Sequence, residues 1–271
     1  MKVISLLIIL LISLSYEEIF LSEGKEEEKN QLQIEYLNLN DPEANTVLSY
    51  PKQLSSDKKH GVIIWAPGYG SKGGDYEAMI KRLASHGFVV VGLSVSPGDG
   101  TKALQLINWL EEKNKQADWA LSGKIDLDTI GCSGHSLGGI ECEQAIVVDK
   151  RIKTTILNNS GAFDHNGMAK VSSNTPIAIV YGNNGMEKPN AEGDYQNDSV
   201  KAPSCLIMMD GADHGHGSGP WDGMAATVAW FRWHLGGEAF RKADFVGSSG
   251  KYIDGPIIGH KGNWKGECKN F

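Results

Sequence analysis

None of the four cysteines, Cys132, Cys142, Cys205 and Cys268, forms a CxxC pair, which excludes a zinc ribbon and a thioredoxin-like redox motif. Basic residues are too few to form a stripe: 26 Lys and Arg face 33 Asp and Glu, for a formal net charge of −7, so nucleic acid is not an expected partner. Two histidines, His214 and His216, lie close together, but no third or fourth ligand stands at a recognisable spacing, and no metal or other cofactor is expected. There is no internal repeat and no proline-rich hinge to divide the chain. The apolar run Val3 to Leu14 is too short to span a bilayer.

What is present is a chain of 271 residues, 41% hydrophobic and 22% charged, enough for one large α/β domain with a sizeable core. Lys2, the apolar run and the small residues of Ser13-Leu14-Ser15 read as a secretory signal peptide over residues 1–15. An uncleaved anchor is the weaker reading, because the Glu-rich stretch that follows offers a helix nothing to pack against. Residues 16–31 form an acidic, solvated leader with a local charge of −4; removing that and the +1 of Lys2 leaves about −4 over the body, too little to imply a polyelectrolyte partner. Residues 32–271 form a single catalytic domain. In an exported protein some cysteines pair; Cys205 with Cys268 is the one bridge suggested, while Cys132 reads as a small core residue. Asn158 and Asn197 begin N-x-S sequons, Asn158 at the buried end of a strand.

From Leu32 onward, short apolar runs alternate with helical patterns, as in a mostly parallel sheet covered by helices on both faces. LQIEYLNL and NTVLSYP alternate apolar and polar residues like edge strands. GVIIWAP, FVVVGLSV, TIGCSG, KTTILNNS, PIAIVYG and CLIMMDG read as buried strands. Tyr76, Met79, Ile80 and Leu83 make one helical stripe ending at Gly87; Leu104, Ile107, Trp109 and Leu110 mark a second helix, and Trp221 to Leu235 a last one. The Gly-rich tail after Phe245 reads as an irregular extension.

Gly134-His135-Ser136-Leu137-Gly138 fits G-x-S-x-G between a strand and a helix. A serine on that sharp turn needs small neighbours so that strand and helix can approach, and Gly134 and Gly138 supply them. Gly68, Gly70 and Gly73 spell G-x-G-x-x-G after a strand, but the next strand ends in Ser94, Val95 and Ser96 without the acid a dinucleotide ribose requires. The same loop suits a different chemistry, since the backbone N–H groups of Tyr69 and Leu137 can face an oxyanion, with the Tyr69 ring lining an acyl pocket. His214 or His216 would supply the base, and His214, nearer the last strand, is the better placed.

Taken together, APGYG, RLASHGFVVVG, GHSLGG, DGADHGH and VAWFRWHLGGEAFRKADFVG resemble the secreted α/β-hydrolases of the cutinase-like and polyester-hydrolase-related esterase and lipase group, over roughly Val47 to Gly247. The resemblance implies an α/β-hydrolase fold, oxyanion roles for Tyr69 and Leu137, His214 as the base, and Asp210 as a carboxylate beside the base rather than the triad acid. The sequence departs from the group where its triad aspartate belongs: the turn is YGNNGMEKPN, and Gly185 stands at the matching position. Glu187, in the same turn, and Asp164, after the preceding strand, are the two candidates for the acid. The terminal segment also lacks the paired cysteines of many relatives, keeping only Cys268.

The expected function is therefore hydrolysis of carboxylic esters, of short to medium acyl chains or polymeric, through an acyl-enzyme on Ser136. About fifteen residues separate the strands after Ser160 and before Pro176, too few for a large lid. An acyltransferase would use the same serine, and a non-catalytic binding protein would explain a lost acid.

Overall fold

A computed structural model describes residues 31–55, 57–215 and 223–271; the expected signal peptide, nearly all of the expected acidic leader, Trp221 and His216 lie outside the described residues. One nine-stranded sheet runs in the order β1-β2-β4-β3-β5-β6-β7-β8-β9. Its strands are β1 (Ile34–Leu39), β2 (Thr46–Pro51), β3 (His60–Ala66), β4 (Val89–Gly92), β5 (Ile125–His135), β6 (Ile152–Asn158), β7 (Ile177–Gly182), β8 (Ser204–Met209) and β9 (Trp264–Lys269). The six strands from β4 to β8 pair in parallel, and antiparallel strands finish both edges. This mostly parallel sheet with helices on both faces is the α/β-hydrolase architecture.

The parallel strands are Val- and Ile-rich because both faces are covered. Along β3 the side chains alternate: Val62, Ile64 and Ala66 enter one core layer, Ile63 and Trp65 the other. Helices α1 (Glu77–Ser85) and α5 (Gly223–His234) cover the second layer, while α2 (Thr101–Asn114), α3 (Leu137–Val148) and α4 (Lys188–Gln196) cover the first. The α1 stripe buries Met79, Ile80 and Leu83, and Gly87 follows the helix at φ 99°, where a left-handed residue ends it.

Two expectations change. The tail is not irregular throughout: Trp264 to Lys269 add β9 to the free edge of β8, burying Trp264. The glycine and lysines of WKGECK hide that strand from a pattern search, and only the available edge of β8 gives it a place. Cys132 is also not a free core residue. It is bonded to Cys142, joining β5 to α3, while Cys205 and Cys268 face each other in the β8–β9 register and are bonded as suggested. Among the described residues no helix is long and apolar enough to cross a membrane.

Candidate active site

The loops after β3, β5, β7 and β8 all leave the carboxyl ends of parallel strands, the edge at which open α/β sheets place their sites. Ser136 sits between the last residue of β5 and the first of α3 with φ 54° and ψ −121°, a conformation a non-glycine residue holds only when its surroundings enforce it. The enforcement is visible. Its N–H donates to the Asn158 carbonyl at 2.9 Å, its carbonyl accepts from the Ser160 hydroxyl at 2.7 Å, and the Cys132–Cys142 bond ties the flanking strand and helix together. A Cβ at Gly134 would strike the Gly138 carbonyl, and one at Gly138 the carbonyl of Ala66, so both positions require glycine for close approach.

His214 follows β8, and its Nδ1 lies 2.7 Å from a carboxylate oxygen of Glu187. Glu187 is only 5% exposed and occupies the N-cap position of α4. Its second oxygen accepts at 2.7 Å from the Asn159 amide, which also donates to the Asp213 carbonyl at 3.1 Å. Burial alone would raise the Glu187 carboxyl; hydrogen bonds from His214, from its own backbone and from Asn159 outweigh it and hold the group below the ordinary glutamate value. A Cβ at Gly185 would fall on the Glu187 carboxylate, so the glutamate folds back into the space a side chain at position 185 would occupy.

The other sequence candidates fall elsewhere. Asp164 is not brought to His214: its side chain is 64% exposed and pairs with Lys170 at 3.6 Å. Asp210 receives the Asn183 amide at 2.8 Å and pairs with Lys265 at 3.4 Å. Tyr69 occupies a turn closed by Ser71 N–H to the Gly68 carbonyl at 3.0 Å; the residue is 88% exposed and does not line a closed pocket. Leu137 is the first residue of α3, so its N–H has no acceptor within the helix. Asn158 is buried, its amide and carbonyl engaged by Ser133 and Thr227 at 2.9 Å each. Asn197 donates its amide to the His165 carbonyl at 2.8 Å. Among the described residues no three His, Cys, Asp or Glu side chains cluster as a metal site would.

Three residues of the site escape sequence reasoning. Asn159, at φ 49°, is legible only as an asparagine that tolerates the left-handed region. Tyr76 reads as part of an apolar helical stripe, and His135 as the unspecified residue before the serine. Yet His135 stands with its ring centroid 4.8 Å from that of His214, placing His214 beside the turn that carries Ser136.

Residues 44–254 match the family described as PETase: PET hydrolase-like. Over 93 residues the chain is 30% identical to Cutinase est2 of Thermobifida alba, covering 33% of this chain and 30% of that protein. It is 29% identical to Cutinase 2 of Thermobifida cellulosilytica over 93 residues, covering 33% of this chain and 34% of the relative. These alignments span about a third of the relatives' own length. The family match, by contrast, takes in the loops bearing Tyr69, Ser136, Glu187 and His214, and on that extent the chain belongs to the PET hydrolase-like family.

Proposed function

We propose that the protein is an exported serine hydrolase of carboxylic esters. One observation carries the reading: a buried carboxylate, Glu187, 2.7 Å from Nδ1 of a histidine whose ring lies 4.8 Å from that of His135, the residue before the strained G-x-S-x-G serine. With Nδ1–H held by Glu187, the Nε2 lone pair of His214 is free to take a proton. Ser136 Oγ attacks the ester carbonyl carbon as His214 accepts its proton; the carbonyl electron pair moves onto oxygen, where the N–H groups of Tyr69 and Leu137 stabilise it. The C–O bond to the alcohol then breaks, and His214 returns the proton to the leaving oxygen. Water, deprotonated by the same histidine, releases the acid and restores Ser136.

Glu187 takes the part of the aspartate that the family resemblance puts at position 185, and the histidine is His214. The absence of an acid, which favoured a non-catalytic binding protein, is thereby answered. For substrate, the exposed side chains of Tyr69, Phe163 and Met186 and the short β6–β7 connection support an open site for polymeric or short-chain esters. The family description and the cutinase relatives agree with that class. Export is supported by the first fifteen residues and by two disulfides, which persist in oxidising compartments.

The test is a panel of p-nitrophenyl esters of graded chain length and a polyester film, with stoichiometric labelling by an organophosphonate. Wild type should hydrolyse and label at Ser136. Ser136→Ala should do neither while keeping its melting temperature, and residual turnover above roughly a thousandth of wild type would assign the chemistry to another residue.

A further inference from the structure

Three segments to which the hydrolytic reading gives different roles are joined by one chain of hydrogen bonds. The Gly68 N–H donates to the Tyr76 hydroxyl oxygen at 3.0 Å; Tyr76 Oη lies 2.8 Å from His135 Nδ1; and His135 Nε2 lies 2.8 Å from the carbonyl oxygen of His214. The proton positions follow from the ends. A carbonyl only accepts, so His135 Nε2 carries the hydrogen; in the neutral ring Nδ1 is then an acceptor, and Tyr76 donates to it. Every link then has one donor and one acceptor, with His135 neutral. Burial, foremost, holds its imidazole below the ordinary histidine value and outweighs the opposing effect of the bond to the His214 carbonyl.

The fit is close on all sides. A Cβ at Gly68 would lie 3.0 Å from both His135 Nδ1 and the Tyr76 hydroxyl, so a side chain there would push the pair aside by a few tenths of an ångström. The Tyr76 ring packs between Trp65 and His135, with centroids 5.5 Å and 5.7 Å away.

We propose that Tyr76 and His135 are positioning residues, a relay that sets the oxyanion loop, the nucleophile turn and the base in mutual register. This rests on the serine ester hydrolase reading. Gly68 immediately precedes Tyr69, the first oxyanion donor; His135 immediately precedes Ser136; and the carbonyl it grips belongs to His214 itself. Each holds its segment through the backbone: Tyr76 through the Gly68 N–H, and His135 through the His214 carbonyl. Their effect falls on how the donors and the base meet the transition state, and so on kcat rather than on substrate binding.

The experiment is a double-mutant cycle of Tyr76→Phe and His135→Phe, assayed on p-nitrophenyl butyrate well below each variant's melting temperature, with Ser136→Ala alongside. Each single variant should lose roughly ten- to a hundredfold in kcat with KM within about twofold of wild type, and the double variant should lose little more than either single one, as parts of one unit do. In wild type, nitrogen-15 NMR should find the His135 ring neutral with its proton on Nε2. Variants that melt earlier but keep wild-type kcat, or whose losses multiply, overturn the relay while leaving the hydrolase reading standing. Turnover that survives Ser136→Ala overturns both.

Discussion

At the scale of single residues, the exchange of position between Gly185 and Glu187 is a matter of reach. A glutamate has one methylene more than an aspartate, and from two residues further along it bends back over a glycine that leaves room for it. Glu187→Gln should therefore lower kcat on p-nitrophenyl esters by on the order of a thousandfold or more. Asp164→Asn, altering an exposed group paired with Lys170, should stay near wild type; the opposite ranking would move the acid to Asp164. Because position 185 is blocked by the glutamate side chain and not by backbone, Gly185→Asp combined with Glu187→Ala should recover part of the activity that Glu187→Ala loses. His234 is a second residue with a measurable signature. Burial beside Trp230 and Trp233, with ring centroids 4.3 Å and 4.0 Å away, lowers its pKa from 6.5 to about 3. The folded state thus favours the neutral ring. Its contribution is complete above the ordinary histidine pKa and is lost as the pH falls from there toward about 3. The melting temperature should drop between pH 7 and pH 4, and His234→Phe should make that drop shallower; parallel curves would exclude His234 as a cause.

At the scale of elements, the turn carrying Ser136 is braced by the helix that follows it. Glu141, fully buried in α3, accepts five backbone N–H bonds: from Gly98, Asp99 and Gly100 on one oxygen, and from Lys102 and Ala103 on the other. These donors include the first turn of α2, whose N–H groups have no partners within their own helix. A carboxylate from a neighbouring helix thus caps α2 and fixes the loop that packs against Leu137. Glu141→Gln would replace one acceptor oxygen with an NH₂ group facing other donors. The expected loss is about 2–3 kcal/mol in urea unfolding, from buried N–H groups left unsatisfied. A glutamine variant as stable as wild type would show that the loop is held by its packing alone. The Cys132–Cys142 bond acts on the same junction from the other side, tying β5 to α3 across Ser136.

At the scale of the whole molecule, β9 and the Cys205–Cys268 bond close one side of the sheet. Without β9, the apolar strand β8 would become an edge with unpaired backbone groups, and Tyr252, edge-on to Trp264 at 5.2 Å, would lose its cover. Removing residues 264–271 should therefore give a chain that associates on size-exclusion chromatography, whereas wild type elutes without that association; a truncated form that behaves like wild type would make β9 dispensable. The sequence by itself determined the class of fold, the inner strands and the serine turn, because each rests on local pattern: buried Val- and Ile-rich runs, one helical stripe after another, and glycines flanking a serine. It also narrowed the acid to two carboxylates. Only the tertiary structure separates their positions, since Glu187 meets His214 across 27 residues of sequence and the Asp164 side chain is largely exposed. It alone revealed β9, the Cys132–Cys142 pair, the Asn159–Glu187 hydrogen bond and the Tyr76–His135 hydrogen bond. These depend on distances between segments remote in the chain, and no periodicity of 2 or 3.6 residues encodes which two loops will touch once the sheet has twisted and the helices have packed.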